Sequence, residues 1–315
     1  MTTLLLELGA DPALHRRCND ANGRSVRGAE MDARDVVTSE TTRYLKAGDY
    51  RSLEELYLKV KDGQPRTPSG IWTLAVFYHA LSAYGHLEQA DAWIKAYPTS
   101  VAARILQASL YQRRAQSDCR CNGSKESAAA TQALKILAET KAMAAQAKDP
   151  EWYRAMIETL PYSSSFADLP ATLNEGAAAY PAYHEMYFSA AWYSHPNWHG
   201  SFDRVETIAR TAARSSATPE ARALYARIYW YLNQARYDGE LFKQSRADWP
   251  TMRASFNEIV AAYPDAYNFN AFAYFACLAH DDKTARGVMQ RAGDQLVLGA
   301  WGKGGAQLFA RCFRQ

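Results

Sequence analysis

Three copies of one tripeptide, Ala96-Tyr97-Pro98, Ala179-Tyr180-Pro181 and Ala262-Tyr263-Pro264, decide how this chain is read. Their prolines are 83 residues apart each time, 181 − 98 and 264 − 181. An amphipathic run precedes each copy (residues 87–95, 169–178 and 252–261), and an aromatic, alanine-rich run follows it (101–115, 183–193 and 267–279). Proline cannot continue a helix but fits the first turn of a new one, so each copy predicts a helix end followed directly by a helix start. The gap between hinges leaves room for further helices of roughly 10 to 20 residues each. Recurrence at a fixed long period is the mark of a repeat architecture.

Working outward, other boundaries carry capping chemistry. Asp149-Pro150-Glu151 and Thr218-Pro219-Glu220 each place a capping side chain, a proline and an acid where a helix begins. Ser201 caps a pattern with Val205, Ile208, Ala209 and Ala212 on one side. Residues 127–147 read as one long alanine-rich helix, with Leu134, Ile136, Leu137 and Met143 on or near its buried side. Residues 221–235 are apolar on most sides and are expected between neighbouring helices. No alternating run of β-branched residues with hairpin turns argues for a sheet. The expected fold is all-α, a solenoid of stacked helical hairpins hinged at 98, 181 and 264, forming one domain over residues 34–315.

Residues 1–33 read separately. Leu4-Leu5-Leu6-Glu7-Leu8-Gly9-Ala10-Asp11-Pro12 and Asp20-Ala21-Asn22-Gly23-Arg24-Ser25 look like the end of one ankyrin repeat and the start of another, less than one unit in all. A single such unit does not fold alone, so the segment is expected to be a cap or a poorly ordered leader.

The charge balance, 36 basic against 33 acidic side chains spread along the chain, gives no field that would select nucleic acid or an anionic membrane. No stretch approaches 18 uninterrupted apolar residues, and the Leu4-Leu5-Leu6 run is cut by Glu7 and Asp11 with no basic region before it. We therefore expect a cytoplasmic protein, or a periplasmic one if a leader has been removed. The five cysteines, at 18, 119, 121, 277 and 312, are too few and too scattered for a disulfide framework. Cys277 lies in an apolar run and reads as a buried inert thiol. Cys119-Arg-Cys121 reads as an accessible pair in a polar loop with too few ligands around it for zinc.

Catalytic motifs fail one after another. His184-Glu185 opens like a zinc-protease helix, but Phe188 stands where the second histidine belongs. His195 and His199 are four apart, but Pro196 and Gly200 make the segment a turn, with Trp198 packing on the array and Ser201 capping the next helix. There is no nucleophile elbow, phosphate loop or dinucleotide fingerprint; Gly302-Lys303-Gly304-Gly305 follows no strand. Glu54-Glu55 and Asp281-Asp282 are adjacent and point different ways, as solvated faces or caps do. We expect no catalytic residue, no metal and no cofactor. Tyr183, Tyr187 and Phe188 with Trp192 recur at helical spacing, which suits a core, yet tyrosine and tryptophan also anchor protein interfaces. Tyr183, Tyr187, Trp192, His195, Trp198 and His199 are therefore the candidate protein-binding residues. The alternative is an enzyme with an unfamiliar site at His184, His195 and His199.

From residue 42 onward the chain also resembles an uncharacterised bacterial family with a tetratricopeptide-like helical fold, classified only as a domain of unknown function. The likeness rests on Tyr44-Leu45-Lys46-Ala47-Gly48-Asp49-Tyr50 with Leu53-Glu54-Glu55-Leu56, and on Trp192-Tyr193-Ser194-His195-Pro196-Asn197-Trp198-His199-Gly200-Ser201. A third part is Asn270-Ala271-Phe272-Ala273-Tyr274-Phe275-Ala276-Cys277-Leu278-Ala279, with Asp282 and Thr284-Ala285-Arg286 after it. Similar sequences read Trp-Gly-Gly-Ser where this one has Trp198-His199-Gly200-Ser201. The resemblance implies a helical repeat fold and supplies no catalytic residues. The function expected is a non-catalytic adaptor that binds another protein, as the immunity or chaperone partner of a bacterial toxin or effector.

Overall fold

The computed structural model describes residues 28–122, 127–198, 200–293, 295–302 and 304–313. The described residues form sixteen α-helices with short 3-10 and π turns and no β-strand. None of these helices is long and apolar enough to cross a membrane. The ankyrin-like stretches at 4–12 and 20–25 lie outside the described residues; the last part of the expected leader, 28–33, opens the first helix.

The helices are α1 (Gly28–Ala47), α2 (Tyr50–Lys61), α3 (Thr73–Tyr84), α4 (Leu87–Ala96), α5 (Val101–Asn122), α6 (Ala128–Ala147), α7 (Glu151–Thr159) and α8 (Leu169–Ala179). There follow α9 (His184–Tyr193), α10 (Phe202–Ala213), α11 (Pro219–Leu232), α12 (Leu241–Gln244), α13 (Trp249–Ala262), α14 (Ala266–Leu278), α15 (Asp282–Arg291) and α16 (Gly305–Phe313). The expected single domain divides into two compact units. One comprises Arg34–Arg66 and Ile71–Ile208, the other Thr67–Gly70, Ala209–Gln315 and the described part of Met1–Ala33. The hinges did not reveal this division because they mark where helices end, not which helices share a core.

The hinges themselves recur in backbone detail. Each preceding helix ends at the alanine, and Tyr97, Tyr180 and Tyr263 take φ/ψ of −132/79, −138/63 and −136/78. Each tyrosine N–H still donates to the carbonyl four residues back, on Trp93, Gly176 and Ile259, at 2.7–2.8 Å. The proline that follows has no N–H for the next helical bond, and its ring drives the preceding residue out of the α region. The helix stops there. The expectation that proline would enter the next helix is corrected: α5, α9 and α14 start three, three and two residues after it. The first two hinges close a turn, with Ser100 N–H on Tyr97 O and Tyr183 N–H on Tyr180 O, while the third is one residue tighter. In all three the helices on either side pack together as a hairpin.

Sequence-derived caps hold where they fall. Thr218 accepts from Ala221 N, Ser201 from Arg204 N and Asp281 from Thr284 N; the helix read from residue 127 starts at Ala128 instead, with Ser127 as its cap, accepting from Ala129 N. Two cysteine readings change. Cys119 lies within α5, because its polar residues continue the helix instead of ending it in a loop. Cys277, buried on α14 as expected, is bonded to Cys312 of α16, with Cα atoms 6.0 Å apart.

The core of the first unit gathers Leu53, Tyr57, Phe77, Leu81, Trp93, Ile105 and Trp152 from α2 to α7. The second is aromatic, with Phe256 stacked on Phe272 at 5.0 Å and Trp301 against Phe309 at 4.9 Å.

Between α9 and α10 the turn over 194–201 is drawn tight by Ser201 N–H donating to Ser194 O at 2.9 Å. A Cβ on Gly200 would stand 1.8 Å from that same carbonyl oxygen, so what the site demands of glycine is room. Gly200→Ala must open the turn, and we expect a loss of roughly 2 kcal/mol or more in stability, read as a lower urea midpoint.

Candidate functional site

The residues singled out from sequence fall in and around α9. Tyr183 and Tyr187 are 0% and 2% exposed, so neither has surface to offer a partner, and the expectation that they line a groove is corrected. Tyr187 instead donates to the hinge carbonyl of Pro181 at 3.2 Å. His195 is buried edge-on against Phe202, with its Nδ1 accepting from Asn197 N. Trp192 and Trp198 are half-buried, and Trp198 packs against Tyr162 and Tyr193. His199 lies outside the described residues. His184 is buried beside Phe188 at the first turn of α9, and His195 follows its last. They stand at opposite ends of α9, whose ten residues span about 15 Å at 1.5 Å per residue, so the helix does not bring them together. No group of metal-ligating side chains is found among the described residues.

What the first unit does bring together is a ladder of charges on α7 and α9 that sequence reasoning missed. Glu151, fully buried at the start of α7, accepts from Arg154 Nε at 2.5 Å and from the Tyr183 hydroxyl at 2.5 Å. Arg154, also buried, reaches Glu158 through Nη1 at 2.5 Å, and Glu158 accepts from Ser189 Oγ at 2.8 Å. Glu185 pairs with His79 of α3, its Oε2 3.2 Å from Nε2. The Glu185 side chain is 11% exposed and that of His79 is 56% exposed, so the ladder reaches solvent at the imidazole. Two residues before Glu151, buried Asp149 caps Glu151 N with one oxygen and accepts from Tyr57 and Tyr78 at 2.7 and 2.6 Å with the other.

Helical spacing explains the arrangement. Glu151, Arg154 and Glu158 follow i, i+3 and i+7, so they share one face of α7, while Glu185 and Ser189 are i, i+4 on α9. These two helices pack on each other. The proline in Asp149-Pro150-Glu151 starts α7 as expected, but Glu151 does more than complement the helix dipole: it is the innermost charge of the ladder.

Burial and neighbours set the proton affinities. Desolvation pushes Glu151 up to about 7 against the opposing pull of Arg154 and Tyr183. Desolvation likewise raises Asp149, although the two tyrosine hydroxyls and the Glu151 N–H oppose it. At His79 desolvation is the largest influence and pulls down, but the Glu185 carboxylate outweighs it and the imidazole titrates above its ordinary value. Glu185 suffers desolvation too, yet His79, Arg154 and Arg34 of α1 hold it below its ordinary value.

A pH dependence follows. Unfolded, Glu151 gives up its proton near 4.5; folded, near 7. Its contribution to stability is thus fully present below the lower value and is lost as pH rises through the higher one, and the raised His79 acts in the same direction through neutral pH. We expect the urea midpoint to fall between pH 5 and pH 8, with Glu151 accounting for roughly 1–3 kcal/mol of that decline. Glu151→Gln, which fixes the neutral form, should flatten the slope.

No protein-family model, curated relative or solved structure matches this chain.

Proposed function

We propose that the chain is a non-catalytic, tetratricopeptide-like helical-repeat protein that holds another protein, and that the partner is gripped at the His79–Glu185 end of the charge ladder. One observation carries this reading. A line of buried charges reaches the surface at the exposed His79 imidazole, and such an arrangement is a poor way to gain stability, since well-packed apolar residues serve as well or better. Perturbed ionisable groups that converge on an open position are a mark of functional sites. The thrice-repeated hinge supports the repeat-array part of the proposal, because stacked hairpins present rows of helix faces to a partner.

The charge count indicates what the partner brings. Three carboxylates, Glu151, Glu158 and Glu185, face two guanidiniums, Arg154 and Arg34, and the His79 imidazole. Once His79 and Glu151 have lost their protons the cluster carries net negative charge, which a lysine or arginine of the partner would neutralise. In the proposal that partner is a bacterial toxin or effector, with this chain as its immunity protein or chaperone; the near balance of 36 basic and 33 acidic side chains gives nucleic acid little support.

The test is a pull-down from the native organism with the full chain as bait, run beside Glu185→Gln and Glu185→Lys, which remove and reverse the charge the partner's cation would answer. A single stoichiometric protein captured by the wild type and lost from both variants supports the proposal. Nothing captured by the wild type, or equal capture by all three chains, overturns it. The compartment in the proposal is the cytoplasm, with the periplasm as the alternative.

A further inference from the structure

The second unit holds a cavity that neither the hinges nor the charge ladder uses. It encloses about 280 Å³ and is lined among others by Trp230, Asn233, Asp238, Gly239, Tyr274 and Gly302. A single buried water needs roughly 10–15 Å³ on this measure, and small-molecule pockets begin near ~300 Å³, so this is ligand-sized space. Its wall is irregular in a particular way. After α11 ends at Leu232 the chain widens into a π turn over Asn233–Tyr237, a form that recurs at functional sites. Asp238 and Gly239 then close the turn at φ +46° and +93°.

Asn233 is 3% exposed and donates through Nδ2 to the Tyr274 hydroxyl at 3.0 Å, while its Oδ1 is buried and accepts no hydrogen bond. A buried polar atom left without a partner costs about 1–3 kcal/mol, which a bound group can recover. Around Tyr274 the backbone leaves room: a Cβ on Gly239 or Gly302 would stand 3.7 or 3.8 Å from its hydroxyl oxygen. The Asp238 carboxylate is near enough to push the Tyr274 phenol up, after desolvation, which does most of it.

We propose that this cavity binds a neutral polyol of monosaccharide size. A ligand hydroxyl both donates and accepts, so it can meet Asn233 Oδ1 and take the Tyr274 proton at once. It serves equally if the Asn233 amide is turned end for end, when an N–H faces the cavity instead. Trp230 and Gly302 line the same space and bound its remaining walls. An ammonium ligand satisfies only one orientation of the amide and leaves the tyrosine proton unmet.

Saturation-transfer NMR and calorimetry on the full chain, with D-glucose and myo-inositol as probes and cyclohexylamine as the cationic control, test this. We expect at least one polyol to bind with Kd on the order of 1 mM and to bind roughly tenfold more weakly to Tyr274→Phe and to Asn233→Leu. Tyr274→Phe removes one oxygen from an otherwise intact ring, so the test stands even if Asn233→Leu fails to fold. No polyol signal in the wild type, binding unchanged in Tyr274→Phe, or binding of cyclohexylamine alone would overturn the assignment.

Discussion

Arg154→Ala is expected to cost about 3–5 kcal/mol, because it strands the fully buried Glu151 carboxylate with only the Tyr183 hydroxyl to answer it. The lost hydrogen bonds are the smaller part; most of the cost is an uncompensated charge in the interior. That distinction can be measured. Removing Arg154 also removes the charge that opposes desolvation at Glu151, so the carboxyl takes up a proton more readily and the penalty shrinks as pH falls. Urea midpoints of the variant should lie farther below the wild type at pH 8 than at pH 5.5. The double variant Arg154→Met with Glu151→Gln should recover much of the loss, since it removes the charge together with its partner. A penalty equal at both pH values, and not relieved in the double variant, would show that Arg154 acts by packing alone.

The second large effect is expected in the other unit. Asn270 of α14 is fully buried and makes four hydrogen bonds, one within its own helix and three to the segment before α16. Its Nδ2 donates to Ala266 O and Gln295 O at 2.8 and 3.0 Å, and its Oδ1 accepts from Val297 N and Trp301 Nε1 at 3.1 and 2.9 Å. Asn270→Ala leaves the Val297 N–H, the Trp301 indole N–H and the Gln295 carbonyl without these partners, and Val297 and Trp301 are buried. At about 1–3 kcal/mol for each stranded buried group, the expected total is roughly 3–5 kcal/mol after local relaxation. Asn270→Asp keeps both acceptor contacts and should fall between wild type and alanine. Hydrogen exchange at Val297 reads the effect locally: protection should collapse in the alanine variant, and protection like that of the wild type would mean the segment is held by other contacts.

These two sites show what could be read from the sequence and what could not. The hinges were legible because proline acts on its immediate neighbour: Ala-Tyr-Pro ends a helix whatever surrounds it, and the three tyrosines adopt one conformation. Caps such as Thr218 and Ser201 were legible for the same reason, since a capping side chain serves an N–H three residues on. The charge ladder was not. Glu151 and Arg154 are neighbours on α7, but Tyr183 is 32 residues farther along from Glu151, and Glu185 meets a histidine on α3. A faint signal was present in the spacing of Glu151, Arg154 and Glu158 on a helix that is otherwise largely buried, where a lone solvated face would be expected elsewhere. The aromatic residues of α9 misled because tyrosine serves cores and interfaces alike; burial, which no local pattern specifies, assigned Tyr183 and Tyr187 to the interior. Asn270 sat unnoticed in an apolar run, its meaning supplied by a segment 25 to 31 residues away.

His79 and Glu185 form the open end of the ladder, and the decisive measurement is titration of the His79 ring protons by NMR in wild type and in Glu185→Gln. We predict a His79 pKa above the ordinary imidazole value of roughly 6.5 in the wild type, moving down in Glu185→Gln, where the carboxylate that raises it is gone. A His79 that titrates at or below the ordinary value in the wild type and does not move in Glu185→Gln would contradict the pairing, and with it the proposed grip on a partner.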